Sequence, residues 1–417
     1  MFALIDGNSF YCSCERAFDP RLRNMPVVVL SNNDGCAIAR TQEAKDLGIK
    51  MGEPYHLARK RAGLEHVVWK SSNYALYGDM SRRMYEVLVG LNPGVEPYSI
   101  DEMFLDFAGI AEAHACAAEI RAKVLRATKI PTCVGIGPTK TIAKLANAVA
   151  KKSRGGDGVC DLSNASYRAN AYQALDVGSV WGIGPASAQN LKALNINTIS
   201  ELVALPDDNV RDLLTVVGLR TVWELRGTSC LPMTYAPSRR KSIAVTRSFG
   251  RPIETFAEME QALATYATRA AEKLRRHQLV AAAMQVFLLT NRFSKTDRQY
   301  VNQVSFAIEP SNDTMTLMSS ARRAAAHLWR DGYRYAKAGI ILLDLTPAAE
   351  QPPCMFPSVD PERSAALMSV LDAVNKRFGR DTLRPCITAG QTGWGMRRGN
   401  VSPSYTTRAD ELLRVRA

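Results

Sequence analysis

Tyr98–Phe107 reads YSIDEMFLDF, apolar and polar in strand-like alternation, with two acids, Asp101 and Glu102, side by side at its centre. Neighbouring strand residues point to opposite faces, so both acids can serve one point only from a bend or a strand end. Adjacent buried carboxylates repel and are costly to desolvate unless a cation or a proton lies between them. A third acid, Asp6, closes the first apolar stretch, MFALID. Three converging carboxylates would make a divalent-metal site, whereas Asp-Glu by itself is more often a solvated hairpin turn. The rest of the chain decides between the two.

Met1–Asp6 is expected to be a short buried strand, and Asn8–Phe18 a helix with Phe10, Cys14 and Phe18 on one face. Tyr11 lies off that face, where it either walls a ligand pocket or simply packs half-buried. Pro26–Leu30 and Cys36–Arg40 read as strands around the turn Ser31–Gly35, and Gln42–Leu47 as a short helix closed by Gly48. Arg40 and Lys45 flank this element, either within reach of an anion or as plain surface charges. Helices follow over Asn73–Val89 and Ile110–Thr128, then the strand Thr132–Gly137 and the helix Thr139–Lys151. On that helix Lys140 and Lys144 lie four apart, close to an N-terminus that follows a glycine turn, an arrangement suited to phosphate. This order around the acidic strands predicts an α+β domain with a mostly antiparallel sheet.

Beyond Ser179 the pattern changes. VWGIG at Val180–Gly184, followed by an amphipathic run over Ala186–Leu194, reads as a helix–hairpin–helix. Gly182 and Gly184 would let the backbone approach a DNA phosphate. Thr234–Lys241 is polar and basic and marks a linker. The order βαββαβ over Ser242–Leu345 then predicts a second small domain, helices on one sheet face and basic residues displayed on the other. Pro347–Pro361 is Pro-rich, and Ser364–Phe378 is one further helix.

Composition narrows the function classes. With 417 residues and 46% hydrophobic content, the chain holds several real cores, yet no apolar run is long enough to span a bilayer. The start, MFALIDGNSFY, has no basic segment ahead of its apolar run and is not expected to be a secretory leader. Nine scattered cysteines suggest neither a disulfide framework nor a zinc site, and a reduced, cytoplasmic compartment fits. The net charge is +13. Between Arg239 and Tyr300 stand 12 Lys/Arg against 5 acids, so nucleic acid is the expected partner, with a merely solvated basic face as the alternative.

ALIDGNSFYCSCE, YSIDE, GIGPTKTIAKLAN, the VWGIG hairpin and TRSFG occur here in the order found in the Y-family DNA polymerases. SNNDGCAIAR, SSNYALYGDMS and the tail SPSYTTRADELLRV resemble the UmuC branch, which supplies the catalytic subunit of DNA polymerase V, rather than its DinB relatives. The resemblance spans nearly the whole chain. It implies a right-hand polymerase with an antiparallel-sheet palm (1–9 and 73–165), small fingers (10–72) and a helix–hairpin–helix thumb (166–234). A linker (235–242), a βαββαβ little finger (243–346) and a C-terminal tail for partners (347–417) complete it.

Residue by residue, the resemblance makes Asp6, Asp101 and Glu102 the catalytic acids. With the carbonyl of Gly7 they would bind two Mg²⁺ ions. Tyr11 would be the steric gate against a ribose 2′-hydroxyl. Phe10, Tyr11, Arg40, Lys45 and Lys144 would meet the triphosphate of a dNTP, and Gly182, Gly184 and Arg247 the DNA backbone. At position 42 the family often has tyrosine, but this chain has glutamine, which retains some capacity to bond phosphate. Ala37 and Ala39 would leave an open roof over the nascent pair. QPPCMF, with Gln351, Met355 and Phe356, resembles a sliding-clamp peptide interrupted by prolines; a Pro-rich linker is the alternative. The branch implies primer-template DNA, a processed UmuD-type dimer, RecA and the clamp as partners, no membrane, and a cytoplasmic, nucleoid-associated place in the SOS response. The expected function is error-prone translesion synthesis. A non-catalytic DNA-binding scaffold is the alternative, disfavoured because all three acids are kept. A nucleotidyl cyclase would explain the acids but not the hairpin or the basic second domain.

Overall fold

The computed structural model describes residues 1–61, 63–153, 155–236, 239–352, 359–390 and 392–412. The chain forms two compact units, Met1–Pro237 with Gly399–Ala417, and Ser238–Arg398.

In chain order the first unit holds β1 (Phe2–Gly7), α1 (Phe10–Phe18), β2 (Val27–Leu30), β3 (Ala37–Arg40), α2 (Gln42–Asp46), α3 (Tyr55–Ala58), β4 (Val68–Ser71) and α4 (Tyr74–Val89). Next come β5 (Val95–Pro97), β6 (Glu102–Asp106), α5 (Ala113–Thr128), β7 (Thr132–Gly137), α6 (Lys140–Lys152) and β8 (Val159–Asp161). The helices α7 (Ala165–Ala174), α8 (Pro185–Ala193), α9 (Ile199–Ala204) and α10 (Asp207–Arg226) follow.

Five strands make the central sheet, ordered β5-β6-β1-β7-β8 and antiparallel except at β7–β8. Ala3, Ile5, Met103 and Leu105 turn to one face, which buries itself on α4 and α5. Leu4 and Phe104 turn to the other, where Ala143 of α6 packs. Asp6 and Glu102 stand opposite each other in the β1–β6 register and, by alternation, share this second face. A smaller sheet, β3-β2-β4, carries the segment between α1 and α4.

Glycines set how closely α6 lies on the sheet. A Cβ at Gly135 would come 2.0 Å from the backbone N of Asn147 and 2.2 Å from the carbonyl of Ala143. Asn147 then donates to the Leu4 and Cys133 carbonyls, tying α6 across two strands. Thr139 caps the helix through the Ile142 N–H. The Glu224 carboxylate, fully buried, accepts the backbone N–H groups of Thr141, Cys230 and Leu231. Nothing in the sequence pattern had marked Glu224. The hairpin Val180–Gly184 lies between a 3₁₀ turn and α8, with Gly182 at φ 94°. The helix α10 is broken at Thr215, whose φ of 64° interrupts the spiral between two helical stretches.

The second unit holds β9 (Ile243–Ile253), α11 (Phe256–Arg276), β10 (Leu279–Thr290), β11 (Val301–Ser311), α12 (Thr314–Leu328), β12 (Tyr335–Pro347) and α13 (Pro361–Phe378). Its four strands are antiparallel in the order β11-β10-β12-β9, with the core between the sheet and α11 and α12. The βαββαβ reading therefore holds, but the expected basic sheet face does not. The open face is lined by Gln285, Phe287, Leu289, Gln303 and Ile341, with Lys337 as its cation. Arg269, Lys273, Arg275 and Arg276 sit on α11 instead, and Arg247 alternates with Val245 and Phe249 towards that helix. Period-two patterning cannot assign charge to a face when it resides on the helix. The tail is divided as well. Asp372 of α13 pairs with Arg275 of the second unit, whereas Gly399–Tyr405 bonds to the first. Among the described residues no helix is long and apolar enough to cross a membrane.

Gly135→Ala should force β7 and α6 apart and lower stability by about 3 kcal/mol or more, as a marked fall in the thermal midpoint. An unchanged midpoint would contradict the close approach.

Candidate active site

The bend expected at Asp101-Glu102 is present. Ser99 shapes it: its Oγ accepts the N–H groups of Asp101 (3.2 Å) and Glu102 (3.0 Å) and donates to Asp101 Oδ1 (2.7 Å). The Asp101 carbonyl accepts the N–H of Gly7 (2.9 Å), fastening the bend to the end of β1. The strand β6 then begins at Glu102, facing Asp6.

Two lysines of α6 reach over this pair. Lys151 Nζ lies 2.5 Å from Asp6 Oδ2, and Lys144 Nζ lies 2.6 and 2.8 Å from the Glu102 oxygens. Lys144 also sits over the rings of Tyr98 (4.6 Å) and Trp181 (5.6 Å). Asp6 is only 4% exposed. Burial pushes its carboxyl up to about 7, with Glu102 and Asp101 adding to the rise and Lys151 opposing it. Among the described residues no three Asp, Glu, His or Cys side chains, as they stand, make a ready cage for an ion. The donor set nevertheless fits a hard divalent cation: the side chains are all carboxylates, and burial raises the Asp6 carboxyl even with Lys151 beside it.

Beside these acids opens a cleft of about 330 Å³. Asp6, Asp101, Lys151, Tyr11, Ala39 and Lys45 are among the residues that line it. Phe10 occupies the space over Gly7, where a Cβ would come 2.8 Å from its ring, so position 7 excludes a side chain. Ser9 has φ 46° and donates its hydroxyl to the Arg40 carbonyl (2.8 Å), leaving the start of α1 without a side-chain cap at the cleft. Arg40 turns its guanidinium to the Ile49 carbonyl (2.6 Å) while still lining the cleft. The ring of Tyr11 stacks on Tyr77 at 4.5 Å and 16°.

Several of the singled-out residues do not line this cleft. Lys140 is not a phosphate contact: it is buried, bonded to Glu96 (2.5 Å) and the Pro232 carbonyl (2.8 Å). Its partner four residues on, Lys144, is held by Glu102 rather than left open. Ala37 is no part of a roof, because it packs into the core with Val28, Leu30 and Ile49; Ile38 and Ala39 line the cleft instead. Gln42 donates to Asp46 and does not line the cleft. Gly182 and Gly184 belong to the hairpin before α8, and Arg247 to the second unit. Gln351 accepts from Thr346, while Met355 and Phe356 lie outside the described residues. Lys151 was missed, although it stands seven residues after Lys144, on the same stripe of the helix.

Comparison with known proteins shows the family of the chain. Residues 5–148 match the model described as the impB/mucB/samB family, and residues 240–352 its C-terminal domain. Residues 365–415 match a domain of unknown function. The chain is 42% identical to Protein UmuC of Salmonella typhimurium, covering 100% of both chains. It is 41% identical to Protein ImpB of the same organism, covering 98% of each. Among solved structures it is similar to a Y-family DNA polymerase chimera, with a TM-score of 0.67 at 19% identity, covering 82% of this chain and 99% of that one.

The buried carboxyl has a measurable signature in metal-free buffer. Asp6 binds its proton more tightly folded, near 7, than at its ordinary 3.8. Between those values the folded state carries the extra proton, so stability falls as pH rises. Asp6→Asn removes this decline. Its melting temperature should gain on the parent from pH 5 to pH 8, and a difference independent of pH would contradict the assignment.

Proposed function

Because the chain belongs to the impB/mucB/samB family and is a Y-family, DNA-directed DNA polymerase, we propose that it performs translesion synthesis with Asp6, Asp101 and Glu102 as its catalytic acids. The observation that carries this reading is the register that sets Asp6 against Glu102 while Asp101 opens into the same cleft. These carboxylates, with the Gly7 carbonyl, are the groups that would hold two Mg²⁺ ions. Bound there, the ions would stabilise the attacking primer 3′-hydroxyl and the leaving pyrophosphate of a dNTP. The chain's own residues do the rest.

Lys45, Arg40 and the uncapped start of α1 at Phe10 and Tyr11 face the cleft and receive the triphosphate. Lys144 and Lys151 pair with Glu102 and Asp6 and balance their charge. Once the carboxylates are otherwise engaged, Lys144 becomes available to the triphosphate. The Tyr11 ring, fixed by its stack on Tyr77, fills the place that a ribose 2′-hydroxyl would need. Ala39 and Ile38 roof the cleft without bulk beyond an isoleucine, which leaves room for a damaged template base. Gly182 and Gly184 offer backbone to DNA phosphates, and Arg247 adds charge in the second unit. The family suggests an SOS setting in the cytoplasm beside the nucleoid, with a processed UmuD-type dimer, RecA and the sliding clamp as partners. The clamp would be met through Gln351, Met355 and Phe356.

The test is extension of a primed template carrying an abasic site, with Mg²⁺ and all four dNTPs, with and without a RecA filament and the UmuD-type dimer. Asp101→Ala should abolish extension and leave DNA binding within about two-fold of the parent, since the residue acts on the transition state. Extension that survives the substitution would overturn the reading. Ala39→Leu should reduce bypass of the abasic site more than synthesis on an intact template. Equal effects on both templates would remove the roof explanation.

A further inference from the structure

Tyr11 is backed by a buried network that ends in the C-terminal segment. Its ring rests on Tyr77, which is fully buried, and meets the edge of Tyr74 at 5.9 Å and 85°. The Tyr77 hydroxyl donates to Glu15 Oε1 at 2.7 Å. Glu15 follows Tyr11 by one turn of α1, so Tyr77 braces that helix at two points: its ring under Tyr11, its hydroxyl on Glu15. Glu15 is 1% exposed, and its carboxylate is met by hydroxyls with no lysine or arginine bonded to it among the described residues. Burial raises its pKa, and the bonds from Tyr77 and Ser402 oppose the rise. A buried carboxylate held in this way depends on every donor it has.

The second donor comes from far along the chain. Ser402 Oγ lies 3.1 Å from the same Glu15 oxygen. The Asn73 amide donates to the Ser402 hydroxyl (3.0 Å) and carbonyl (3.3 Å), and its carbonyl oxygen caps α4, the helix that carries Tyr77. Asn400 exchanges backbone and side-chain bonds with Ser71, and Gly399 donates to Asp34. Tyr405 stacks on Phe18, the last residue of α1, at 5.1 Å and 5°. The segment thus clasps both helices that place Tyr11.

We propose that Glu15, Tyr77 and Ser402 are positioning residues for Tyr11, and that residues 399–405 are a working part of the sugar-selecting wall. The inference rests on the reading of Tyr11 as the gate, and goes beyond it by giving the end of the domain of unknown function a role in substrate choice. Removing a hydroxyl from Glu15 lets water or a new rotamer replace it. Tyr77 then shifts, and Tyr11 loses the flat support that fixes its distance from C2′ of the incoming sugar. The acids and lysines of the cleft are untouched by this change, so deoxynucleotide insertion continues.

The test is single-nucleotide insertion on an intact primed template, giving kcat/KM for a dNTP and for the matching rNTP in the full chain. Tyr77→Phe and Ser402→Ala should each lower the dNTP/rNTP ratio by about ten-fold, the net worth of one hydrogen bond to a charged group. The loss should fall on rNTP exclusion, with dNTP kcat/KM within about two-fold of the parent. Glu15→Gln keeps an acceptor oxygen for both hydroxyls and should retain more selectivity than Glu15→Ala. A merely structural role would lower the melting temperature and both activities together at a constant ratio, and that result overturns the proposal. Tyr11→Ala separates the two layers. If it admits ribonucleotides while Tyr77→Phe and Ser402→Ala do not, the gate stands and its positioning network falls. If Tyr11→Ala leaves the ratio unchanged, the gate reading fails and takes this inference with it.

Discussion

The structure of the first unit turns on two ammonium–carboxylate pairs, Lys151 with Asp6 and Lys144 with Glu102. Strand register alone puts Asp6 and Glu102 against each other in a poorly hydrated place, and such a pair cannot remain charged without a counter-ion. The counter-ions come from α6, which reaches the acids only because β7 presents Gly135 and Gly137 to its backbone. Buried Asn147 and Glu224 then hold the helix in that position. A small-residue strand, a close-packed helix and two lysines seven residues apart are therefore one solution to one electrostatic problem.

The same arithmetic explains why the site is poised rather than stable. Asp6 remains pushed up to about 7 even with Lys151 beside it, so the pair does not fully repay desolvation. A stronger cation would be welcomed there. Lys151 is 40% exposed at its side chain, free to withdraw into solvent when displaced.

Much of this was legible in the residues. The alternation of YSIDEMFLDF, broken by two adjacent acids, predicted both a strand and the bend at its start, and Ser99 supplies the hydroxyl that makes the bend. Periodicity placed most helices and strands within a few residues, because their buried faces are regular. Three things escaped. Lys140 and Lys144 share a helix face, yet Lys140 is buried on Glu96 while Lys144, partly exposed, pairs with Glu102, a choice made by partners remote in sequence. A cluster of cations in the second unit, Arg269, Lys273, Arg275 and Arg276 of α11 with Arg247 of β9, lies on the helix side of the sheet, since charge there follows helix packing rather than strand parity. The return of residues 399–405 to α1 and α4 depends on single hydrogen bonds spanning more than three hundred residues, which no local pattern records.

The central claim is the proposal that Asp6, Asp101 and Glu102 together form one cation site, with Lys151 and Lys144 paired to two of its acids. Calorimetric titration of Mg²⁺ into the chain bound to primer-template and a non-hydrolysable dNTP tests it directly, run in buffers of different ionisation enthalpy. The account predicts two ions per chain, release of protons as Asp6 leaves its raised pKa, and loss of both signals in Asp6→Asn. Binding of the same stoichiometry and proton release in Asp6→Asn would contradict it.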